Sequence, residues 1–154
     1  MGGPDRDPTL AAAKRALNAR EFDALAPALG EDERVELLIR AGELGSVKAQ
    51  YDLGAFYATG DWAGPKSEAE AVKWYLKAAH QGNADAQYNI GLMLLKGEGV
   101  PQNSSDGVAW LAKAADQGED QARALLVQIY DEGLFDVPQD PERAGYWQKR
   151  FRNA

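Results

Sequence analysis

The stretch "DAQYNIGLMLLKGEGV", residues 85–100, decides the fold. Tyr88, Ile90, Met93 and Leu94 recur at helical spacing. The run closes on Gly97, the residue type favoured just past a helix end. Yet Gly91 stands in the middle, where glycine costs a helix about 1 kcal/mol against alanine. The rest of the chain supplies the reason. "AQYDLGAFYATG" (residues 49–60), "AQYNIGLMLLKG" (86–97) and "ARALLVQIYDEG" (122–133) align at offsets of 37 and 36 residues. "AVKWYLKAAHQG" (71–82) and "GVAWLAKAADQG" (107–118) align at 36. Trp74, Trp110 and Trp147 share one column, and Pro65, Pro101 and Pro138 share another. A period of this length marks supersecondary units that bury their apolar faces by stacking.

Each unit reads as two helices. The first carries Tyr51, Leu53, Phe56 and Tyr57 in unit one at the spacing seen in unit two, and it stops at a glycine. A loop with the proline follows. The second helix opens on cap signals: Ser67 lies three residues before Glu70, and Asp140 precedes Pro141. It ends at Gly82 or Gly118. "LLIRAGELGS" (37–46) matches "WYLKAAHQGN" (74–83) and forms a preceding half-unit. The alanine- and leucine-rich segment from Thr9 to Leu29 adds one or two helices, for about eight in all and no strand signal.

The columns "AQY-LG", "G-GV", the mid-loop proline and "W--KAA--G" resemble the Sel-1-like repeat family, relatives of the tetratricopeptide repeats, over roughly Arg34 to Ala154. The resemblance implies an all-α fold, a right-handed α-solenoid of stacked helix-turn-helix repeats that binds proteins or peptides. The expected organisation is a flexible leader at 1–8 and a single repeat domain at 9–154. Within it, 9–46 is a degenerate N-terminal unit, 47–83 unit one, 84–119 unit two, and 120–154 unit three with a C-terminal cap.

Stacking explains the glycine. Helices approach closely only where side chains are small, so Gly54 and Gly91, in one column, are expected where the first helix crosses a neighbour. Ala78, Ala79, Ala114 and Ala115 are expected to do the same for the second helix. Unit three departs from this: Val127 replaces the glycine, and Phe151 and Arg152 replace the alanine pair. The end of a solenoid needs a different outer face, so the last helix reads as a terminal cap closing a complete C-terminus.

The totals narrow the partner. Hydrophobic residues at 45% and charged residues at 27% are ordinary for a soluble globular chain of 154 residues. A net charge of −7 argues against a nucleic-acid backbone and an anionic membrane surface, and favours a basic peptide or protein patch. The absence of cysteine removes disulfides, thiolate metal sites and thiol nucleophiles. No apolar run approaches the ~20 residues of a membrane span, and "MGGPDRDPTL" (1–10) has no apolar signal core. The default compartment is the cytoplasm, or the periplasm if the chain is truncated.

Catalytic chemistry finds little footing. His80 is the only histidine, and its column holds Glu43, Asp116 and Asn153, so it reads as a solvated residue at a helix C-terminus. A zinc site lacks a second imidazole. Phosphate-loop, dinucleotide and serine-elbow motifs are absent, and "GEG" at 97–99 is a helix stop and turn with no strand before it. Asp23, Glu31, Asp32, Glu33 and Glu36 cluster near the start, where Glu31 to Glu33 suit a first helical turn. Asp131, Glu132 and Asp136 gather at the last loop. Paired carboxylates can act as acid and base, but only in a closed pocket that nothing here predicts. No cofactor and no metal are expected.

The resemblance to tetratricopeptide grooves places the first helices on a concave binding face. Its outward residues are Lys48, Tyr51, Asp52, Ala55, Ala58 and Thr59 in unit one, and Asp85, Tyr88, Asn89, Leu92, Leu95 and Lys96 in unit two. Unit three adds Gln121, Ala124, Leu125, Gln128, Asp131 and Glu132. The partner-binding candidates are centred on Tyr51, Tyr88, Asn89 and Leu92, where aromatic area meets amide hydrogen bonding. Trp62, in the loop "GDWAGP" (60–65), and Phe135, in its column, form a second candidate edge. Trp62 reads either as filler for the valine that Gly64 replaces or as an exposed anchor. The function expected is a non-catalytic adaptor or regulator; the alternative is an immunity or inhibitor protein that occludes a toxin or enzyme active site.

Overall fold

The computed structural model describes residues 30–61 and 65–152. Among the described residues there are seven α-helices and no strand: α1 Glu31–Glu43, α2 Val47–Thr59, α3 Glu68–His80, α4 Ala84–Lys96, α5 Ser104–Asp116, α6 Asp120–Glu132 and α7 Pro141–Arg152. The expected helices between Thr9 and Leu29, the leader and Trp62 lie outside the described residues. The chain divides into two compact units, Met1–Ala78 and Ala79–Ala154, with the boundary inside α3.

The helix ends follow the local chemistry. Ser46 Oγ accepts from the Ala49 N–H at 3.2 Å, Asn83 Oδ1 from Ala86 at 2.8 Å, and Asn103 Oδ1 from Asp106 at 3.0 Å. Each satisfies a first-turn amide that the helix itself leaves without a partner. The two predicted caps form as well: Ser67 Oγ accepts from Glu70 N–H at 3.3 Å and Asp140 Oδ1 from Arg143 N–H at 3.1 Å. The first helix of every repeat ends on a left-handed glycine, Gly60, Gly97 or Gly133, with φ of 73°, 71° and 69°. A side chain there would meet its own carbonyl, which is why the column is glycine.

The first unit is built on Leu37, Leu38, Ala41, Ala49, Leu53 and Trp74. The Tyr75 ring lies over Gly54; a Cβ at Gly54 would come within 2.5 Å of it. Gly42 in turn receives the edge of Trp74, whose Cζ3 would stand 2.8 Å from a Cβ there. The glycine column is therefore a packing column in this unit, as the period implied.

The second unit is built on Leu95, Leu111, Ala114, Ala115, Ala122, Leu126, Ile129, Tyr130, Ala144 and Trp147. Here α4 and α5 cross backbone to backbone. A Cβ on Gly91 would lie 3.0 Å from the Gly107 carbonyl oxygen, and a Cβ on Gly107 would lie 3.0 Å from the Gly91 oxygen. The two glycines face each other, and each leaves the room that the other's peptide occupies. Val127 takes the glycine position in α6, is half-buried, and packs against this core. The side chains of Phe151 and Arg152, on which the cap reading rests, lie outside the described residues.

A buried polar column runs through the repeats. Gln50 Nε2 donates to the Gly42 carbonyl at 2.9 Å, and Gln87 Nε2 donates to the Ala79 carbonyl at 3.2 Å. Both amides are buried, and each occupies a carbonyl near the C-terminus of the preceding helix, where backbone acceptors lack helical partners. Arg123 holds the same column in α6 and turns elsewhere: its guanidinium donates to the Arg150 carbonyl at 3.1 Å and pairs with Asp120.

Candidate interaction surface

The first-helix positions separate cleanly by burial. In α2, Lys48 and Thr59 are exposed and Tyr51, Asp52, Ala55 and Ala58 are half-buried, while the framework residues Ala49, Leu53 and Gly54 are buried. Several of these side chains are already occupied. Lys48 Nζ pairs with Asp52 at 2.8 Å, and Thr59 Oγ1 donates to the Ala55 carbonyl at 3.0 Å. Tyr51 lies against Tyr75 with ring centroids 5.7 Å apart. Burial, with a smaller contribution from Tyr51, pushes the Tyr75 hydroxyl up to about 12.

The second unit offers more free chemistry. Tyr88, Asn89 and Leu92 of α4 are half-buried and Asp85 and Lys96 exposed; Gln121, Ala124, Gln128, Asp131 and Glu132 of α6 are exposed. Asn89 Nδ2 donates to the Asp85 carbonyl at 2.9 Å, which leaves its oxygen as an acceptor. Gln128 lies 3.4 Å from the Glu132 carboxylate. Tyr88 and Leu125 both pack against the core that α6 shares. Tyr88 makes no hydrogen bond and no ring contact among the described residues. Its hydroxyl is raised above the ordinary phenol range, first by burial and then by the negative field of Glu119.

Leu95 corrects the expected outward set. It is fully buried, among the largest such side chains. Its column holds Ala58 and Asp131, neither of which is buried, and that similarity of position hid a difference of chemistry. In α4 the apolar face is wide enough to include Met93, Leu94 and Leu95 together, because the helix is packed on more than one side.

The second candidate edge is partly core. Phe135 is half-buried against the second unit's core, and its carbonyl accepts from Ser104 Oγ at 2.5 Å. Phe135 and Asp136 both adopt left-handed backbone, with φ of 56° and 61°. Asp136 stands in the column of Gly99, which has φ of 70°; an aspartate tolerates that region, whereas a phenylalanine is strained in it. The loop borders a shallow cleft of about 370 Å³ lined by Ser104, Val108, Ala112, Tyr130, Val137 and Arg143. Arg143 lies over the Tyr130 ring at 5.7 Å and pairs with Asp140.

The remaining candidates fall on the surface. Asp32, Glu33 and Glu36 are exposed, and Glu33 Oε2 accepts from the Gly30 N–H at 3.0 Å, a first-turn role. His80 is exposed at the end of α3 and touches the Trp110 ring edge-on at 5.1 Å, a contact the sequence did not indicate. Among the described residues no three of His, Cys, Asp and Glu gather where they could hold a metal ion, and no helix is long and apolar enough to cross a membrane.

The Sel1 repeat profile matches residues 47–83, 84–119 and 122–150. A Sel1 repeat protein from Oxalobacter formigenes is 30% identical with a TM-score of 0.76, over 97% of this chain and 62% of that one. A protective antigen of uropathogenic Escherichia coli displaying an SLR fold is also 30% identical, TM-score 0.78, over 94% of this chain and 32% of that one. Helicobacter pylori cysteine rich protein B, at 24% identity and TM-score 0.63, covers 81% of this chain and 100% of its own length and shares the fold. This chain thus spans about a third and under two thirds of the first two proteins. No curated protein matches it significantly. The α-solenoid expected from the sequence is the class of these neighbours.

Proposed function

Because this chain belongs to the Sel1 repeat family, whose members are generally non-catalytic protein-interaction modules, we propose that it is an adaptor or regulator that binds a protein or peptide on the surface of its first helices. One observation carries this reading. The repeat spends its small and apolar columns on packing, and leaves recognition chemistry accessible on the same helices: Tyr88, Asn89 and Leu92 on α4, Gln128 and Asp131 on α6. Aromatic area beside amide hydrogen bonding is the composition of interaction surfaces. The corresponding positions of α2, Lys48, Tyr51, Asp52 and Ala55, belong to the same reading. The test is capture of partners by the wild-type chain and by a Tyr88→Ala, Asn89→Ala double variant with an intact helical melt. The variant should lose the captured partner; binding retained within about twofold, less than one side-chain anchor is worth, would move the site off α4.

A further inference from the structure

The second unit segregates its charge. Its first helices α4 and α6, with the α6 cap Glu119, hold five acidic residues and two basic ones; its second helices α5 and α7, with the α7 cap Asp140, hold four acidic and five basic. Of the two basic residues on the acidic side, Arg123 is buried against Asp120, which leaves Lys96 alone. The acidity is thus weighted to the first helices rather than spread evenly as the net charge of −7 would allow.

At the start of α4 stands a half-buried aromatic ring with no ring partner. Tyr51 and Tyr88 share a column, but Tyr51 packs on the Tyr75 ring, whereas the residue in Tyr75's column in the second unit is Leu111 and Tyr88 has no ring partner. The next residue of its own column is the exposed Ala124, too small to cover it. Glu119 is held nearby: Gln117 Nε2 donates to Gln87 Oε1 at 2.8 Å and to the Gly82 carbonyl at 2.9 Å, tying the start of α6 to the start of α4. Glu119 accepts only the Gln121 N–H, at 3.3 Å, and keeps lone pairs for a further donor.

We propose that the α4–α6 face of the second unit recognises a basic segment of a protein partner, with a lysine or arginine side chain laid against the Tyr88 ring and paired with Glu119. A cation over an aromatic face, with a carboxylate beside it, is held by two attractions at once. Leu92 and Leu125, both half-buried, accept an apolar neighbour on the same segment, and Asp131 faces the segment's second cation at the far end of α6. The acidic field gathers such a segment faster than a neutral one. The inference rests on the first-helix reading above and adds the chemistry of the partner.

The test uses a fluorescent peptide with lysine and leucine at helical spacing, and a copy with glutamate in place of lysine. The lysine peptide should bind the full chain, and the glutamate copy should not. Glu119→Gln with Asp131→Asn, which keeps the cap oxygen, should weaken binding roughly threefold to tenfold, the worth of two accessible ion pairs. Glu43→Gln with Glu98→Gln removes the same charge elsewhere and should leave binding unchanged. Equal weakening by both pairs would reduce the effect to net charge and overturn the proposal. So would equal binding of the glutamate copy. If Tyr88→Ala abolishes binding while the Glu119 and Asp131 variant does not, the face stands and its basic specificity falls. If neither variant matters, the first-helix reading itself fails.

Discussion

Gly54 and Gly91 occupy one column of the repeat, and the same second-helix column crowds both, but only at Gly91 does a peptide join it. In the first unit the residue makes room for a ring: Tyr75 fills the space above Gly54. In the second it makes room for a peptide as well as a side chain: a Cβ on Gly91 would stand 3.0 Å from both the Gly107 carbonyl oxygen and Leu111 Cγ, and α4 and α5 meet backbone to backbone. The repeat fixes the absence of a side chain and leaves open what occupies the gap. The same difference reaches the surface. Tyr75 packs on Gly54 and also against the Tyr51 ring; with Leu111 in that position, Tyr88 is half-buried without a ring partner. The identity of one second-helix residue decides whether the neighbouring tyrosine is structural or available.

The largest expected effects break these two crossings. Gly91→Leu must separate whole helices, because the Gly107 peptide stands beside Leu111 in its way and cannot rotate aside, and should cost about 3 kcal/mol or more. At Gly54 even alanine meets the Tyr75 ring at 2.5 Å, so Gly54→Ala should lower the thermal midpoint markedly. The comparison predicts a rescue there: Gly54→Ala combined with Tyr75→Leu imports the second unit's solution and should recover part of the loss. A double-mutant cycle reads the coupling directly. Simple additivity would show that the ring is not what excludes the side chain, and an unchanged melt for Gly91→Leu would refute the backbone crossing.

A second effect, of intermediate size, is confined to alkaline solution. Tyr75 ionises in the unfolded chain near 10 and in the folded chain at about 12, because burial disfavours the phenolate. A raised folded value means that its contribution is complete below pH 10 and is lost as pH climbs toward 12. The loss is at most ~2–3 kcal/mol. Burial also raises the Tyr57 and Tyr88 hydroxyls, so ultraviolet titration should show Tyr75 as the last of the delayed tyrosines, and Tyr75→Phe should remove both that last step and the corresponding part of the alkaline destabilisation. A last step that survives unchanged in Tyr75→Phe would assign it to another ring and weaken the contrast between the two units.

Much of this was legible before the structure. The period, the helix pairs, the caps at Ser67 and Asp140 and the role of Gly54 and Gly91 all follow from columns, since stacking forces the same small residue at the same place. Columns fail where position and chemistry disagree. Leu95 shares a column with Ala58 and Asp131 and was placed on the surface with them, but an apolar residue beside Met93 and Leu94 is drawn into the core whatever its column does. Gln50 and Gln87 carried no signal at all. Only the three-dimensional course of the chain shows that each amide closes on a helix-end carbonyl eight residues back. The interaction face was half legible: Tyr88 and Leu92 carried a signal, whereas Glu119 did not, because its part depends on a link between helices made by Gln117 and Gln87.

The smallest expected effect sharpens the comparison at the tryptophan column. Trp74 is buried in the first unit's core, where its ring edge lies against Gly42. Trp110 is half-buried, with Lys113 over its ring at 4.4 Å and His80 against its edge at 5.1 Å. If the surface contact is only a decoration of a ring already held by its neighbours, His80→Ala should move stability by less than about 0.5 kcal/mol, the usual range for surface changes. It should nonetheless shift tryptophan emission, because removing the imidazole lets water reach the Trp110 edge. A fall of more than ~1 kcal/mol would mean that the edge contact anchors the ring, the upper part of the range for aromatic pairs. The second unit would then depend on a solvent-facing aromatic pair where the first depends on a buried indole.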